Sequence, residues 1–473
     1  MNHLINIDLL PNRILKNTVA DSAEACIKSI AKSNPEGIIA AEKAKKCVSL
    51  GIDNVILHGS TERDYTINLS ICSEDQSIII ELTDTGLPGD ISDSAEASEI
   101  RSLADEYECI NLLKKGRSQR IIFKFSSEIP EILRENTDDT IPITGSHINL
   151  RTTEDKDYPE IARAFYRDMG FTYFHKEVYD STLLKEFLLK NNTHPLSAET
   201  DDGIFAGFHV LKEWSLIPGV YEAGMAIVNG RLRKCGAFSS LLDTNNKYFD
   251  EAVRKGVNIS LATTNHDITQ KIRLKRGFTP CGFTFNCDTA NASQGVFRRG
   301  NIRYTLAACC HTMEHYQKDI YVPEEIIKVL DVIYNGENLP RTYITDHLEP
   351  KQNHCDVNSA ISSDSVVSEV AISNIGLDYK DVLFDIYHAL KECENEVCTM
   401  YVSVDKPGCV DFYEEAKRYG FRFTGLIPNT GYGDMMIMLN PINNLVRYDS
   451  IITTDSFTDM KNMLKEFDPD YRM

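Results

Sequence analysis

The sequence predicts a multidomain protein of mixed α+β and α/β class, built from three parts in series. Three observations predict it. The chain has 473 residues, more than one ordinary core accommodates. Strand-like and helix-like patterns alternate through most of its length, the arrangement of sheets flanked by helices. A stretch carrying Pro130, Asn136, Asp138, Asp139 and Pro142 interrupts the alternation and reads as a linker at 126–147. The parts are therefore 1–125, 148–298 and 299–473.

In the first part, residues 38–58 return apolar side chains every three or four positions without proline, which predicts a helix. Residues 65–72 and 77–83 are β-rich, and the polar run 73–76 between them predicts a hairpin. Residues 84–98, rich in Gly, Pro, Asp and Ser, predict a loop. A helix at 99–114 and a strand at 120–125 complete the unit. In the central part, "INLRTTEDKDYPEIARAFYRDM" reads as strand, acidic helix start and amphipathic helix. Alternation continues to about Cys287. Val220–Val228 alternates as a strand that Asn229-Gly230 ends. Arg233-Lys234-Cys235-Gly236-Ala237 then leads into a helix whose apolar face is Phe238, Leu241, Leu242, Phe249, Ala252 and Val253, with Gly256 near its C-terminal cap.

The third part shows a strand at 304–309, a helix after Pro323 and a polar stretch at 348–364. Next come a strand at 366–372, helices at 379–393 and 410–419 around a strand at 399–404, and the run 425–439. "ISLATTNHDITQKIRLKRGFTPCGF" and "MYVSVDKPGCVDFYEEAKRYGFRFTGL" both read strand, polar turn, helix, Gly-Phe, strand. Two copies of one unit would produce that echo, and so would chance repetition of a common pattern.

Charge and composition narrow the function classes. Apolar residues make up 42% of the chain and charged residues 25%, which fits globular protein rather than disorder. The net charge of −20 repels nucleic acid phosphates and anionic lipid. No basic run with interleaved aromatics appears, so neither nucleic acid nor membrane is an expected partner. An acidic surface suits cationic partners such as amines, and it also serves solubility. Residues 1–30 lack the basic-then-apolar pattern of a secretory signal, and no apolar run is long enough to span a bilayer. The 13 cysteines are scattered without a CxxC pair, which predicts reduced thiols and a cytoplasmic location. Cys309, Cys310, His311 and His315 lie close in sequence, but adjacent cysteines do not suit a tetrahedral site, and no metal is expected. Trp214 reads as a core residue. Tyr173 and Tyr179 belong to an aromatic patch that reads either as core or as a substrate wall.

The segment after Val228 carries the chemistry. A glycine-bearing loop that opens a helix exposes several backbone N–H groups, and with the helix dipole these bind phosphate. Arg231, Arg233 and Lys234 add positive charge beside them. An ordinary strand-loop-helix connection has the same outline, so the pattern alone leaves both readings open.

This region resembles the acyl-CoA-binding motif of the GNAT acetyltransferase superfamily, Gln/Arg-x-x-Gly-x-Gly/Ala. Arg233 and Gly236 match its first two fixed positions, and Phe238 stands where the final Gly/Ala is expected. The strand at 259–263, Asn265, the helix after it and Arg276-Gly277-Phe278 resemble the family's next strand and helix. The family splays these two strands and lays the pantetheine between them. The resemblance implies an acetyl-CoA site at Ala226, Val228, Arg231, Arg233, Lys234, Cys235, Gly236, Ala237, Phe238 and Asn265. It also implies direct attack of an amine on the thioester, with Glu222 as the base. The family's usual tyrosine acid has no counterpart, since its slot holds Ile272. Asn265 and His266 read equally as caps of that helix. "HDITQKIRLKRGFTPCGF" together with "DIYVPEEIIKVLDVIYNGENLPR" looks like bacterial and archaeal proteins that fuse an ATPase-like module to a GNAT domain. On that basis the third part resembles a degenerate second GNAT-like domain.

In the first part, Asn54 and His58 lie one helical turn apart, and Asp84 and Gly86 sit at a strand end. These resemble the N box and Asp-x-Gly box of histidine-kinase-like ATPases, in particular the anti-sigma-factor kinases. The resemblance implies an ATPase-like α/β sandwich that takes ATP or ADP with Mg²⁺, Asn54 on the metal and Asp84 on the adenine amino group. Leu50 replaces the family's acidic residue and 99–114 contains no glycine, so hydrolysis is not expected. Nucleotide binding without turnover and a retained scaffold for a protein partner both remain open. Two functions follow for the whole chain. One is an acetyl-CoA-dependent N-acetyltransferase acting on an amine of a small molecule or protein. The other is a non-catalytic CoA- or nucleotide-sensing regulator that binds a signalling partner.

Overall fold

Strand and helix periodicities resolve into two units, Met1–Arg134 and Glu135–Met473, in a computed structural model. It describes residues 2–9, 15–31, 35–58, 65–74, 77–86, 91–124, 147–288, 303–361, 367–393, 395–442 and 444–472. Apart from His147, the sequence-derived linker at 126–147 lies outside the described residues.

The first unit is a five-stranded sheet backed by helices. Its elements are β1 (Asn2–Leu9), α1 (Lys16–Ala31), α2 (Pro35–His58), β2 (Ile67–Glu74), β3 (Ser77–Asp84), α3 (Ala95–Leu103), β4 (Glu106–Asn111) and β5 (Arg117–Lys124). The strand order is β1-β2-β3-β5-β4, every pair antiparallel. The predicted helix at 38–58 is the core of α2. Its Ala40, Ala44, Cys47, Val48, Ile52 and Val55 pack on Ile67, Leu69, Ile80, Leu82 and Ile121 of the sheet. The predicted helix at 99–114 is corrected. Helix α3 starts earlier, capped by the Ser94 hydroxyl accepting from the Ala97 N–H at 3.0 Å. It stops at Leu103, and β4 follows. Half-buried Tyr107 and Cys109 alternate there with exposed Glu106, Glu108 and Ile110. That period of two suits an edge strand on β5.

The second unit holds a twelve-stranded sheet. Its first half contains β6 (Ile148–Thr152), α4 (Tyr158–Met169), α5 (Ser181–Lys190), β7 (Thr193–Thr200), β8 (Phe205–Glu213), β9 (Val220–Val228), α6 (Ala237–Tyr248), β10 (Val257–Thr263), α7 (Ile268–Leu274), β11 (Thr279–Asp288) and β12 (Tyr304–Thr312). Across the sheet the order is β6-β7-β8-β9-β10-β12-β11. Only β9 and β10 in this half are parallel. The boundary read from sequence at 298/299 falls between β11 and β12, and β12 pairs with both β10 and β11. The first half therefore closes with β12.

The second half contains β13 (Lys318–Tyr321), α8 (Ile327–Gly336), β14 (Arg341–Ile344), β15 (Asp356–Ala360), β16 (Val367–Asn374), α9 (Tyr379–Glu392), β17 (Val397–Ser403), α10 (Cys409–Arg418), β18 (Arg422–Thr430), β19 (Gly433–Asn440) and α11 (Asp455–Lys465). Strands β13 and β14 form a separate parallel pair. The run β15-β16-β17-β19-β18 repeats β8-β9-β10-β12-β11 in order and direction, again with one parallel pair, β16–β17. The echo in the sequence is thus a repeated topology.

The halves meet where β11 lies antiparallel to β18, through the pair Gly282 and Gly425. Both glycines have φ near +150°, and a side-chain carbon on either would meet backbone of the opposite strand at 2.5 Å or less. The joined sheet curls, bringing the β8–β9 hairpin onto the second half. There the Gly431 N–H donates to the Pro218 carbonyl at 2.6 Å, and the Asn358 amide donates to the Leu216 carbonyl at 3.2 Å.

Candidate functional site

The site begins where β9 and β10 part. They pair only from Val220 to Glu222 against Val257 to Ile259, and then diverge. The gap opens toward the C-terminal end of β9. A bulge opposite His209 marks the divergence, with Met225 at φ 49°. A bulge leaves one residue out of the ladder, and here that lies beside Ala226. The sequence carried no signal for it.

Asn229 ends β9 as predicted. Its amide donates to the Phe205 carbonyl at 2.8 Å, and its Oδ1 accepts from the Arg231 N–H at 3.1 Å. A short turn, Gly230–Leu232, follows. Lys234 and Gly236 both take positive φ, 76° and 91°, which turns the chain into α6 with Gly236 at its N-cap. The first-turn N–H groups of a helix have no intrahelical acceptor, so this end presents donors. Nothing lies within 4 Å of where a Gly236 side chain would begin. Arg233 and Lys234 are exposed, Arg231 and Cys235 half-buried and Ala237 buried. Arg233 makes a two-pronged pair with Asp168 of α4, both contacts 2.8 Å. Phe238 is half-buried in the first turn. Donors, open space and cations fit a diphosphate-bearing acyl carrier.

Glu222 projects to the face opposite Ala223, which packs with Leu211 and Phe249. Its Oε2 accepts from the Trp214 indole N–H at 2.9 Å and lies 3.4 Å from Lys212 Nζ. Lys212 also donates to His175 Nε2 at 3.3 Å. Burial pushes the Glu222 carboxyl upward, but Lys212, the Trp214 hydrogen bond and His175 outweigh it and hold the carboxyl below its ordinary range. Burial, reinforced by Lys212, pushes His175 down to about 4, so its imidazole is neutral at neutral pH. Trp214, read from sequence as core, is half-buried and packs against the core, and its indole N–H also orients the Glu222 carboxylate. Tyr173 and Tyr179 are buried in the aromatic patch, and the Tyr179 hydroxyl accepts from the Tyr173 N–H at 3.0 Å.

Sequence reasoning missed Lys212 and His175, since a lysine on a strand and a histidine in an aromatic run carry no motif. At the far side, the His266 Nδ1 accepts from the Ile268 N–H at 3.2 Å, a local cap of α7. Asn265 hydrogen-bonds Thr263 in the same turn. Cys309 and Cys310 are buried within β12, and no group of three His, Cys, Asp or Glu among the described residues is arranged to hold a metal.

In the first unit, β5 contacts two of the predicted nucleotide residues, Gln119 meeting Asn54 of α2 and Arg117 meeting Asp84 of β3. Asn54 is buried and donates to the Ile91 carbonyl at 3.2 Å and to Gln119 Oε1 at 3.0 Å. Asp84 is buried and paired with Arg117 at 2.8 Å, and its other oxygen accepts from the Gly86 N–H at 3.0 Å. His58 faces Glu96 at 3.1 Å. Leu50 packs against the core. An Asp84 carboxylate held by an arginine does not fit recognition of an adenine amino group.

No family model matches the sequence, and no curated protein matches it significantly. Solved structures with similar parts include several N-acetyltransferases. An N-acetyltransferase from Staphylococcus aureus Mu50 shares 15% identity, over 36% of this chain and 100% of that one, with a TM-score of 0.29. The ribosomal-protein-S5-alanine acetyltransferase of Vibrio fischeri shares 11%, over 36% and 95%, with a TM-score of 0.29. The spermidine N-acetyltransferase of Vibrio cholerae, solved with CoA and spermine, shares 16%, over 34% and 94%, with a TM-score of 0.28. No helix among the described residues is long and apolar enough to cross a membrane.

Proposed function

We propose that residues 148–312 form an acetyl-CoA-dependent N-acyltransferase site of the GNAT type, acting on an amine. The observation that carries this is the divergence of β9 from β10 just before a glycine-opened helix, with a half-buried carboxylate, Glu222, on the diverging strand. When bound, the acyl thioester supplies the electrophilic carbonyl. Gly236, Ala237 and the first turn of α6 hold its phosphates through N–H groups, with Arg231 and Lys234 adding charge. Past Glu222, where β9 has no partner in β10, a backbone N–H would meet the developing oxyanion charge. Glu222 accepts a proton from the ammonium form of the acceptor, directly or through water. The nitrogen–carbon bond forms and the carbon–sulfur bond breaks. Of the two protons the ammonium loses, one leaves by Glu222 and one ends on the thiol.

Acetyl-CoA binding by calorimetry tests this on the wild type and Gly236→Trp. We expect micromolar affinity that the bulky substitution abolishes. No binding by the wild type at millimolar cofactor overturns the reading. With an accepted amine in hand, Glu222→Gln lowers kcat by about 10²–10⁴-fold, the range for loss of a general base.

For the first unit we propose a module that does not bind nucleotide through Asp84. The buried Asp84–Arg117 pair supports this. Measurable ATP or ADP affinity that is lost in Asp84→Asn would overturn it.

A further inference from the structure

The repeated topology places two carboxylates at one structural position. Glu222 is the third residue of β9, in Val220-Tyr221-Glu222, beside Val257-Asn258-Ile259 of its parallel partner. Glu369 is the third residue of β16, in Val367-Ser368-Glu369, beside Val397-Cys398-Thr399 of its own parallel partner. Seven strand steps separate β9 from β16 along the sheet, yet the curl of the sheet brings the two side chains together. The Trp214 indole that donates to Glu222 meets the Tyr401 ring edge-on, centroids 5.7 Å apart. The Tyr401 hydroxyl in turn donates to Glu369 Oε1 at 3.2 Å.

We propose that Glu369 is the second carboxylate of the acceptor site, so that the acceptor is an amine bearing a further ammonium group, held between Glu222 of one half and Glu369 of the other. The proposal rests on the acyltransferase reading above. The charge balance supports it. Lys212 acts on both carboxylates, and His175 beside it is neutral, so one cation faces two acids. Burial first, and then Glu222, push the Glu369 carboxyl upward. Ionising both acids is therefore costly until a cation arrives to pair with the second. Both side chains keep partial exposure. The nitrogen near Glu222 gives up its protons and reacts, while the distal ammonium stays on Glu369. Half-buried Trp214, whose indole bonds Glu222 and whose ring meets Tyr401, offers an aromatic surface beside the carboxylates, and aromatic faces attract cations. A sequence comparison of the two halves carries this signal, in the shared Val-x-Glu at the start of each strand.

The test is calorimetry on the full chain with CoA present. Diamines from 1,3-diaminopropane to 1,6-diaminohexane are each compared with the monoamine of the same carbon count. At least one diamine should bind about tenfold or more tighter than its monoamine, the advantage of a second charge-assisted contact. Glu369→Gln should erase that difference, with folding checked by circular dichroism. If that variant does not fold, Tyr401→Phe removes the hydroxyl that orients Glu369 and should cut the preference at least threefold. Equal affinity for diamines and monoamines, or a preference that survives these variants, overturns the proposal. Acetyl-CoA binding separates the two failures. Its absence overturns the acyltransferase reading and this inference with it. Its presence without a diamine preference overturns only the role of Glu369.

Discussion

Lys212 stands between two acceptors, the Glu222 carboxylate and the His175 imidazole, and beside the effect of burial its charge lowers both. Removing it in Lys212→Met leaves Glu222 and Glu369 to repel each other without compensation. The acid limb of kcat/KM against pH should then move upward by about one unit, as expected when an opposite charge is lost beside a carboxylate. An unmoved limb would separate Lys212 from the chemistry. His175 gives a stability prediction. Its folded-state value near 4 lies below the ordinary 6.5. The unfolded chain therefore binds the extra proton between those values, and stability rises with pH across that window. Urea unfolding should show a loss of at most about 3 kcal/mol from this residue on going from pH 7 to pH 4. His175→Gln should lack that component. Glu222, held below its ordinary range, contributes stability present above the unfolded carboxyl value and lost as pH falls through its folded value.

At the scale of elements, the β9–α6 connection decides whether a cofactor can be held. Gly236 adopts φ 91° with open space around it. Gly236→Ala therefore tests conformation without crowding. It should cost about 1–2 kcal/mol, the penalty of a left-handed backbone for a residue with a side chain, and weaken acetyl-CoA binding less than Gly236→Trp. Equal losses in the two variants would mean that the turn, rather than the space beside it, governs binding. Most of these elements were legible. Val220–Val228 alternates, and α2 and α6 carry helical stripes, so local periodicity suffices. The segment 104–111 was not legible as a strand. Its alternation is short and acidic, and only pairing with β5 makes it a strand. Strand β1 pairs at the sheet edge, and it does alternate: Ile5, Ile7 and Leu9 are more buried than exposed Leu4, Asn6 and Asp8.

At the scale of the second unit, two half-sheets share one seam. Gly282 and Gly425 each allow the opposite backbone to approach where a side chain would collide with a carbonyl oxygen, at 2.5 Å and 2.3 Å. Gly282→Ala and Gly425→Ala should each destabilise this unit by about 2–4 kcal/mol, since backbone rather than a flexible side chain must yield. The double variant should cost less than the sum, because both break the same contact. Additive losses would show that the seam is not a single interaction. The seam also governs function in our reading. By joining the halves, it curls the sheet and brings Tyr401 onto Trp214.

What the sequence determined by itself was most of the strands and helices, the glycine-opened loop after β9 and the internal echo, and it offered Glu222 as a candidate base. These depend on neighbours a few positions away, and periodicity records them. Tertiary structure alone decided that β12 inserts between β10 and β11, that Arg117 occupies Asp84, and that Trp214 and Lys212 serve Glu222. It also decided that Glu369, 147 positions beyond Glu222, is linked to Trp214 through Tyr401. Those outcomes follow from strand pairing and sheet curl between distant segments, where burial and charge pairing choose the partners and no local pattern records the choice.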